Sequence, residues 1–354
     1  MQVCSGSREE ALVLLAAFLP KAGTSYTRNR NFDLGAGQHK HVSQLSAYIK
    51  RRIITEEDVL KKVLSAHSLN EAGKFIDEIF WRPYFKGWLE SRPHIWMQYC
   101  ADVHHLTHEL QTQSGLRDRW AAACLGETGI DCFDAWAKEL AETGYLHNHA
   151  RMWFASIWIF TLRLPWALGA DFFLRHLVDA DAASNTLSWR WVAGLQTAGK
   201  TYLATTDNIA RYTNGRFAPK GLATTAIIPP NLTVANPRPV PFAAQWERQK
   251  PALLLVTPDD LHPESLFTPS ASIKAAFVAA DATTLWGDNA RGFVASASRD
   301  AAERIGTAFE CPTDILDTLN VETLITQAKK AGAEQIVTAY APVGPVADLF
   351  VKFA

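Results

Sequence analysis

Apolar residues recur at spacings of three and four along the first part of the chain, as in Leu12, Leu15, Ala16 and Leu19. This spacing is typical of helices that bury one face. Alternation of apolar and polar residues, which would indicate strands, is scarce there. The pattern predicts a mainly α-helical domain over residues 1–218.

The pattern changes at a stretch with little periodicity that contains Pro229, Pro230, Pro237, Pro239 and Pro241. Such a stretch is typical of a linker, which we predict over residues 219–250. Beyond it, short apolar runs alternate with helical segments, as in a small α/β (Rossmann-like) domain with a parallel sheet. The runs are 253–257, 275–280 and 335–340, the helices lie near 298–309 and 321–331, and the predicted domain is 251–354.

Composition indicates where the protein is located more clearly than what it does. The formal net charge of -1 gives no footprint for nucleic acid, so contact with DNA would need a local cluster of Lys and Arg. Five scattered cysteines favour a reducing, cytoplasmic location over a disulfide framework. The most apolar stretch, 152–174, is interrupted by Arg163, Pro165 and Asp171, so we expect a buried helix followed by a turn and no membrane span.

Three blocks of residues carry candidate chemistry. In the first, Glu78, Trp81 and Arg82 share one face of a helix, because residues three and four apart are neighbours. The alternative is an exposed pair of Glu78 with Arg82 beside a core tryptophan, which would contribute little.

The second block places Asn148, Arg151 and Met152 on one helix face. An amide, a cation and a thioether at the mouth of a buried helix suit a planar heteroaromatic ligand. The alternative is a solvated Arg151 and a core Met152.

The third block is Asp179-Ala180-Asp181, followed by Asn185. No nearby His or Glu completes a hard-cation site, so we predict no metal. An alternative use is a pair of Asp179 with Arg151, while Asp181 accepts hydrogen bonds from a ligand.

Taken in order, these blocks resemble the FAD-binding domain of DNA photolyases and cryptochromes. Residues 42–49, Val-Ser-Gln-Leu-Ser-Ala-Tyr-Ile, resemble the family's diphosphate-binding loop Thr-Ser-Arg-Leu-Ser-Pro-Tyr-Leu. Hydroxyls and backbone N–H groups at a helix start suit an anionic diphosphate. The resemblance implies cofactor contacts from Tyr26, Ser43, Gln44, Leu45 and Ser46.

The remaining roles are also implied by the resemblance. Phe75 and Arg82 would lie at the flavin, and Glu78 and Trp81 would face a pyrimidine dimer. Other residues would line the flavin or the lesion: Asn148, Arg151, Met152, Asp179, Asp181 and Asn185. Trp189 and Trp166 match the proximal and middle members of the tryptophan chain that photoreduces FAD, and Trp120 and Trp136 are candidates for the distal member.

Several positions depart from the family pattern. Val42 lacks a hydroxyl, Gln44 lacks the arginine's charge and Phe75 replaces a tryptophan, so we expect looser phosphate and base contacts. Pro83 removes a backbone donor, so the helix should end or kink there.

The α/β unit follows the helical domain, and we predict that this unit is a relocated, reduced antenna-type domain whose chromophore is undetermined.

The resemblance implies an FAD-dependent, blue-light-driven lyase that acts on cyclobutane pyrimidine dimers in DNA. Asn148 stands where the related (6-4) enzymes carry a histidine, which favours the cyclobutane lesion. We expect a monomer with no metal cluster and no membrane association. The alternatives are a cryptochrome-like light sensor without repair activity, and a light-independent flavoprotein or remnant that binds FAD weakly.

Overall fold

The computed structural model describes residues 5–197, 200–230, 236–242, 244–267, 271–280, 285–316 and 319–351. Contacts within the chain divide it into two units, and parts of the predicted linker, 231–235 and 243, lie outside the described residues. The helical unit contains Lys21–Val42 and Asn70–Arg238, and the sheet unit contains Met1–Pro20, Ser43–Leu69 and Pro239–Ala354. The domain limits expected from the sequence stay a prediction.

Helices dominate the described chain, which confirms the predicted mainly α class. They are α1 (Arg8–Phe18), α2 (Thr24–Asn29), α3 (Ser46–Lys50), α4 (Glu56–Ala66), α5 (Leu69–Glu90), α6 (Pro93–Thr112), α7 (Ser114–Leu125), α8 (Asp131–Thr143), α9 (Asn148–Ser156), α10 (Trp166–His176), α11 (Ala182–Val192), α12 (Thr206–Tyr212), α13 (Asp288–Phe309), α14 (Val321–Lys330) and α15 (Pro345–Val351). Short 3-10 turns occur at Leu19–Lys21 and Pro263–Ser265, and a π-helical segment, Ile157–Thr161, continues α9.

The core of the helical unit is aromatic and lies among α8, α9, α10 and α11. The Phe154 ring stacks on Phe133 at 4.1 Å and packs against Phe173 at 5.0 Å, and Trp189 meets Phe173 edge-on at 5.0 Å. Gly169 allows this close packing, because a Cβ there would lie 2.3 Å from a ring carbon of Trp189. The aromatic core therefore fixes the packing of α10 against α11.

The prediction that the helix ends at Pro83 is wrong, since α5 runs from Leu69 to Glu90 with Pro83 inside it, while the alternative of a kink there stays a prediction. The proline removes one backbone hydrogen bond. Apolar side chains on both sides of it, including Ile76, Ile79 and Leu89, are buried. Tertiary packing of both halves therefore outweighs the local cost.

The sheet unit has four parallel strands in the order β3-β2-β1-β4 among the described residues. They are β1 (Ala252–Val256), β2 (Ile273–Ala279), β3 (Thr313–Leu316) and β4 (Gln335–Thr338). All of β1 is buried, as expected for a parallel strand covered on both faces. On one side Leu253 and Phe277 pack with Leu324 and Ala328 of α14. The predicted small α/β unit is confirmed, and its antenna-type origin stays a prediction.

The apolar stretch 152–174 forms α9, the π-helical segment, a turn and α10, as expected from its interrupting residues. In the described part of the chain, no helix combines the length and the apolar character needed to cross a membrane.

Candidate functional site

The polar face of α5 is held by residues from elsewhere in the helical unit. Glu78 forms an ion pair with Arg30, and Arg82 forms one with Asp181. The alternative of an exposed pair between Glu78 and Arg82 is therefore wrong. Arg82 instead connects α5 to the third motif block, and Glu78 connects α5 to the residue that ends α2.

Tyr26 and Phe75 are both buried and meet edge-to-face, with ring centres 5.1 Å apart. Burial, assisted by the Glu78 carboxylate, raises the pKa of the Tyr26 hydroxyl well above its usual value. Tyr26 therefore keeps its proton and can donate a hydrogen bond, which suits contact with an anionic group.

The α9 block is anchored at the start of its helix. Arg151 donates from Nε to the carbonyl of Leu146 at 2.9 Å, and its Nη1 lies 3.5 Å from an Asp179 oxygen. The predicted pair of Asp179 with Arg151 is thus present. Asn148 is exposed and Met152 is half-buried, so these two side chains are accessible beside a fixed guanidinium.

The turn before α11 directs its two carboxylates to different arginines. Ala180, between them, has φ 41°, a left-handed conformation that is strained for a residue with a Cβ. Asp181 caps α11 by accepting from the backbone N–H of Ser184 at 3.0 Å and also pairs with Arg82. Its carboxylate is therefore engaged by protein groups, and its predicted hydrogen bonds to a ligand stay a prediction.

These contacts join the blocks into one cluster within the helical unit. The Tyr145 hydroxyl interacts electrostatically with Arg151, Asp179 and Tyr26, and burial raises its pKa well above the usual value. Sequence reasoning missed Tyr145 and Arg30. Both precede or follow recognised motifs by only a few residues, but neither belongs to a motif itself.

Some buried polar atoms of the cluster form no hydrogen bond with the described protein groups. Asp179 Oδ1 and His147 Nε2 are buried and have no hydrogen-bond partner among the described residues. Asn185 is buried, and its Nδ2 donates to the Ala170 carbonyl at 2.7 Å, which fixes the orientation of its amide. Unused polar atoms beside fixed cations fit a heteroaromatic cofactor with several hydrogen-bonding edges.

Residues 43–49 of the predicted diphosphate loop belong to the sheet unit. Ser43 and Ser46 are partly exposed, Gln44 is exposed with φ 56°, and the side chain of Leu45 is fully buried. Only the backbone of Leu45 could therefore contact a cofactor. Because α3 has five residues, its dipole is weak, and donors must come from hydroxyls and single N–H groups.

We use the name α5 aromatic patch for four rings on α5: the exposed Phe80, Trp81 and Tyr84 and the half-buried Phe85. Trp81 lies 5.3 Å from Tyr84 and 5.7 Å from Phe85, and it is 48% exposed. Only Trp81 was expected from the sequence. The spacing of Trp81, Tyr84 and Phe85 by three and four is the signal that could have identified the others.

The predicted electron-relay residues are both buried. Trp189 lies in the aromatic core, and its Nε1 has no hydrogen-bond partner among the described residues. The ring of Trp166 contacts Tyr99 at 5.9 Å and the guanidinium of Arg190 at 5.9 Å. Trp136 stacks on Trp153 at 5.4 Å. The distal member of the relay stays undetermined.

One buried group in the helical unit has the residue types of a metal site. Ligand atoms of Asp33, His39 and Glu139 lie within 4.8 Å of one another. His39 Nε2 lies 2.6 Å from Glu139, while Asp33 accepts hydrogen bonds from Trp136 Nε1 at 2.8 Å and from Arg216 at 3.1 Å. Both donors bind Oδ2 of Asp33, while Oδ1 accepts from the backbone N–H of Gly35 at 3.0 Å, so the Asp33 carboxylate is held by protein groups. That the chain binds no metal stays a prediction.

We expect the free energy of unfolding to decrease between pH 6.5 and 4 because of His147. Burial lowers the pKa of His147 to about 4, so the unfolded chain takes up a proton at higher pH than the folded protein. Titration of His147 contributes up to about 1.4 kcal/mol per pH unit to the slope of the free energy of unfolding against pH. His147→Asn, which keeps a capping side chain for α9, should flatten the dependence in urea titrations at several pH values.

The control is His105→Asn, at an exposed position of α6. It should leave the pH dependence as in the wild type. An unchanged slope in His147→Asn would contradict the assignment.

Comparison with known proteins identifies the helical unit's class. Residues 75–222 match the family model described as the FAD binding domain of DNA photolyase. Over this segment the chain is similar to the FAD-binding domain of DNA photolyases.

Named relatives share only part of their length with this chain. A deoxyribodipyrimidine photo-lyase of Alkalihalophilus pseudofirmus is 30% identical over 196 residues, which are 55% of this chain and 39% of that protein. One of Streptomyces griseus is 37% identical over 124 residues, or 35% and 26% of the two chains. The crystal structure of a class III photolyase from Agrobacterium tumefaciens matches 59% of this chain and 43% of its own at 26% identity, with a TM-score of 0.48. The chain spans less than half the length of these relatives.

Proposed function

We propose that the protein binds FAD and uses blue light to repair cyclobutane pyrimidine dimers in DNA. The observation that carries this proposal is the pairing of Arg82 with Asp181 and of Arg151 with Asp179, which joins the motif blocks of α5, α9 and α11. These blocks are far apart in sequence, and a common ligand explains why they carry matching charges. The match of residues 75–222 to an FAD-binding domain supports the same ligand.

When bound in its reduced form, FAD would supply the light-driven electron transfer that splits the dimer. In this proposal Arg82, Arg151, Asp179, Asp181 and Asn185 orient the flavin. The loop residues Ser43, Gln44 and Ser46 would hold its diphosphate.

The lesion would be held by α5 and α9. Trp81, an exposed ring of the α5 aromatic patch, offers a stacking surface worth roughly 1 to 3 kcal/mol per base. Exposed aromatic groups of this kind commonly mark interaction sites. Glu78 would hydrogen-bond or protonate the opened dimer, and Met152 would pack against it while Asn148 offers an amide.

The paired arginines set a limit on how DNA is held. Arg30, Arg82 and Arg151 each have a carboxylate partner, so this cluster contributes little net positive charge. Contacts to DNA phosphates must then come from other Lys and Arg side chains.

The protein would act as a monomer in the cytoplasm, where the free cysteines Cys100, Cys124, Cys132 and Cys311 stay reduced.

The second candidate is a cryptochrome-like sensor with the same cofactor, which the charge-neutral cluster favours. Affinity for dimer-containing DNA separates the two functions. A repair enzyme should bind such DNA with a steep salt dependence, whereas a sensor should show little salt-dependent binding.

The repair function is tested with Glu78→Ala. Purified full chain with FAD, under blue light and reductant, should restore thymine absorbance in an oligonucleotide that contains dimers. We expect the repair rate of Glu78→Ala to be about a hundredfold lower, because a positioned acid or hydrogen-bonding group contributes at least that much.

The matched control is Asp77→Ala, which removes a neighbouring carboxylate from an exposed pair with Lys74. Its repair rate should equal that of the wild type. Absence of repair by the wild type on both single-stranded and double-stranded substrates would refute the repair function and favour the sensor.

A further inference from the structure

The loop that follows β1 is bound to three consecutive basic residues at the end of α3. Lys50, whose side chain is only 7% exposed, forms an ion pair with Asp259. Nε of Arg52 lies 2.9 Å from a carboxylate oxygen of Asp260. Both acids belong to the sheet unit's loop, and both bases lie within three residues after the predicted diphosphate loop of residues 42–49.

Arg51, between these two bases, is completely buried. Its guanidinium lies 4.5 Å from the ring centre of Trp286, and Nη1 lies 3.4 Å from the carbonyl oxygen of Pro258. The Arg51 carbonyl accepts a hydrogen bond from the backbone N–H of Leu261 at 2.9 Å. A charged side chain is seldom buried unless its surroundings fix it, so these contacts hold the backbone as well as the charge.

The backbone at Arg52 gives a second sign of constraint. Its φ of 54° lies in the left-handed region, which an arginine adopts only when neighbouring groups hold it. Besides Asp260, Nη2 of Arg52 donates to the hydroxyl of Ser265 at 3.1 Å. The turn that ends α3 is therefore defined by the loop after β1.

In open parallel sheets, ligands usually bind beyond the carboxyl ends of strands where the strand order reverses. In the order β3-β2-β1-β4, the chain places β2 and β3 on one side of β1 and then places β4 on the other side, so the strand order reverses at β1. The loop after β1 lies at this edge. In this protein the two acidic side chains of the loop, Asp259 and Asp260, pair with Lys50 and Arg52.

We infer that the sheet unit is a scaffold for the cofactor loop, with Asp259 and Asp260 as positioning residues for contacts to the FAD diphosphate. The inference rests on the proposed function and adds to it a role for the sheet unit. Gln44 gives the loop no cation, and the charges of Lys50 and Arg52 are compensated by the acids. Diphosphate binding then depends on hydroxyls and N–H groups, whose contribution is sensitive to small displacements.

The test compares FAD with riboflavin, which lacks the diphosphate, using the full chain freed of flavin. The variants are Asp259→Asn and the double variant Lys50→Met/Asp259→Asn, which leaves no unpaired buried charge and so protects folding. Fluorescence titration should show the dissociation constant for FAD raised about tenfold in both variants, since a hydrogen bond to a charged group contributes that much. The dissociation constant for riboflavin should not change.

The control is Asp288→Asn, which removes a 93% exposed carboxylate from the same unit and should bind both flavins as the wild type does. Unchanged FAD affinity in the double variant would overturn the inference. So would an equal loss for FAD and riboflavin, since that marks a general loss of structure. A wild-type protein that binds neither flavin would refute the proposed function, and the scaffold role with it.

Discussion

Asp181→Ala protein is expected to be purified without flavin and to unfold at a lower urea concentration than the wild type. Asp181 is buried, pairs with Arg82 and caps α11 through Ser184. Removing the cap costs about 1 kcal/mol. Leaving the Arg82 guanidinium, whose side chain is 14% exposed, without its carboxylate costs a further 3 to 5 kcal/mol or so. Visible absorbance and urea titration measure the two effects.

Two related variants separate the charge from the cap. Asp181→Asn keeps a good capping residue and should lose mainly the ion-pair contribution. Arg82→Met/Asp181→Asn should recover stability because no charge is left unpaired, while flavin binding stays weak. Asp171→Asn, which breaks a pair with the half-exposed Arg175 on α10, is the control and should change stability by less than about 1 kcal/mol. Flavin retained by the double variant would contradict the cofactor role of this pair.

Trp189→Phe protein should bind FAD but reduce it under blue light roughly tenfold more slowly, or worse. The indole of Trp189 lies in apolar surroundings against Phe173 and Trp158, so a ring of similar size preserves packing. Phenylalanine is much harder to oxidise than tryptophan, so it cannot pass an electron to the cofactor. The measurement is bleaching of the visible flavin absorbance in the presence of a thiol reductant.

Trp191 provides the matched control two residues later. It is 38% exposed and stacks on Tyr202 at 5.8 Å, outside the aromatic core. Trp191→Phe should photoreduce FAD at the wild-type rate. If instead Trp191→Phe were slow and Trp189→Phe normal, the relay would run through the stack with Tyr202.

Periodicity was sufficient to predict the helical class and the parallel α/β unit, because long amphipathic helices and buried strands such as β1 carry strong patterns. It missed β3, whose residues Asp314 and Ile315 are exposed, since an edge strand with polar residues lacks that pattern. It also missed α15. The motif residues were identifiable because their spacing on one helix face survives in the sequence.

Partners that come from distant parts of the chain could not be predicted in this way. Arg30 reaches Glu78 and Arg82 reaches Asp181 only through the fold, so the local pairing of Glu78 with Arg82 looked equally reasonable. The contact of Lys50 with Asp259 joins residues 209 positions apart and has no local signature. Such pairings depend on tertiary packing, which periodicity does not encode.

The absence of a side chain at residue 169 has a consequence for any attempt to tune the light chemistry. A single methyl group there would force the indole of Trp189 to tilt or α10 to move away from α11. The geometry of the ring that we propose as an electron relay is thus specified by a residue that has no chemistry of its own. If Trp189 relays electrons, Gly169 is as necessary for that role as the tryptophan it accommodates.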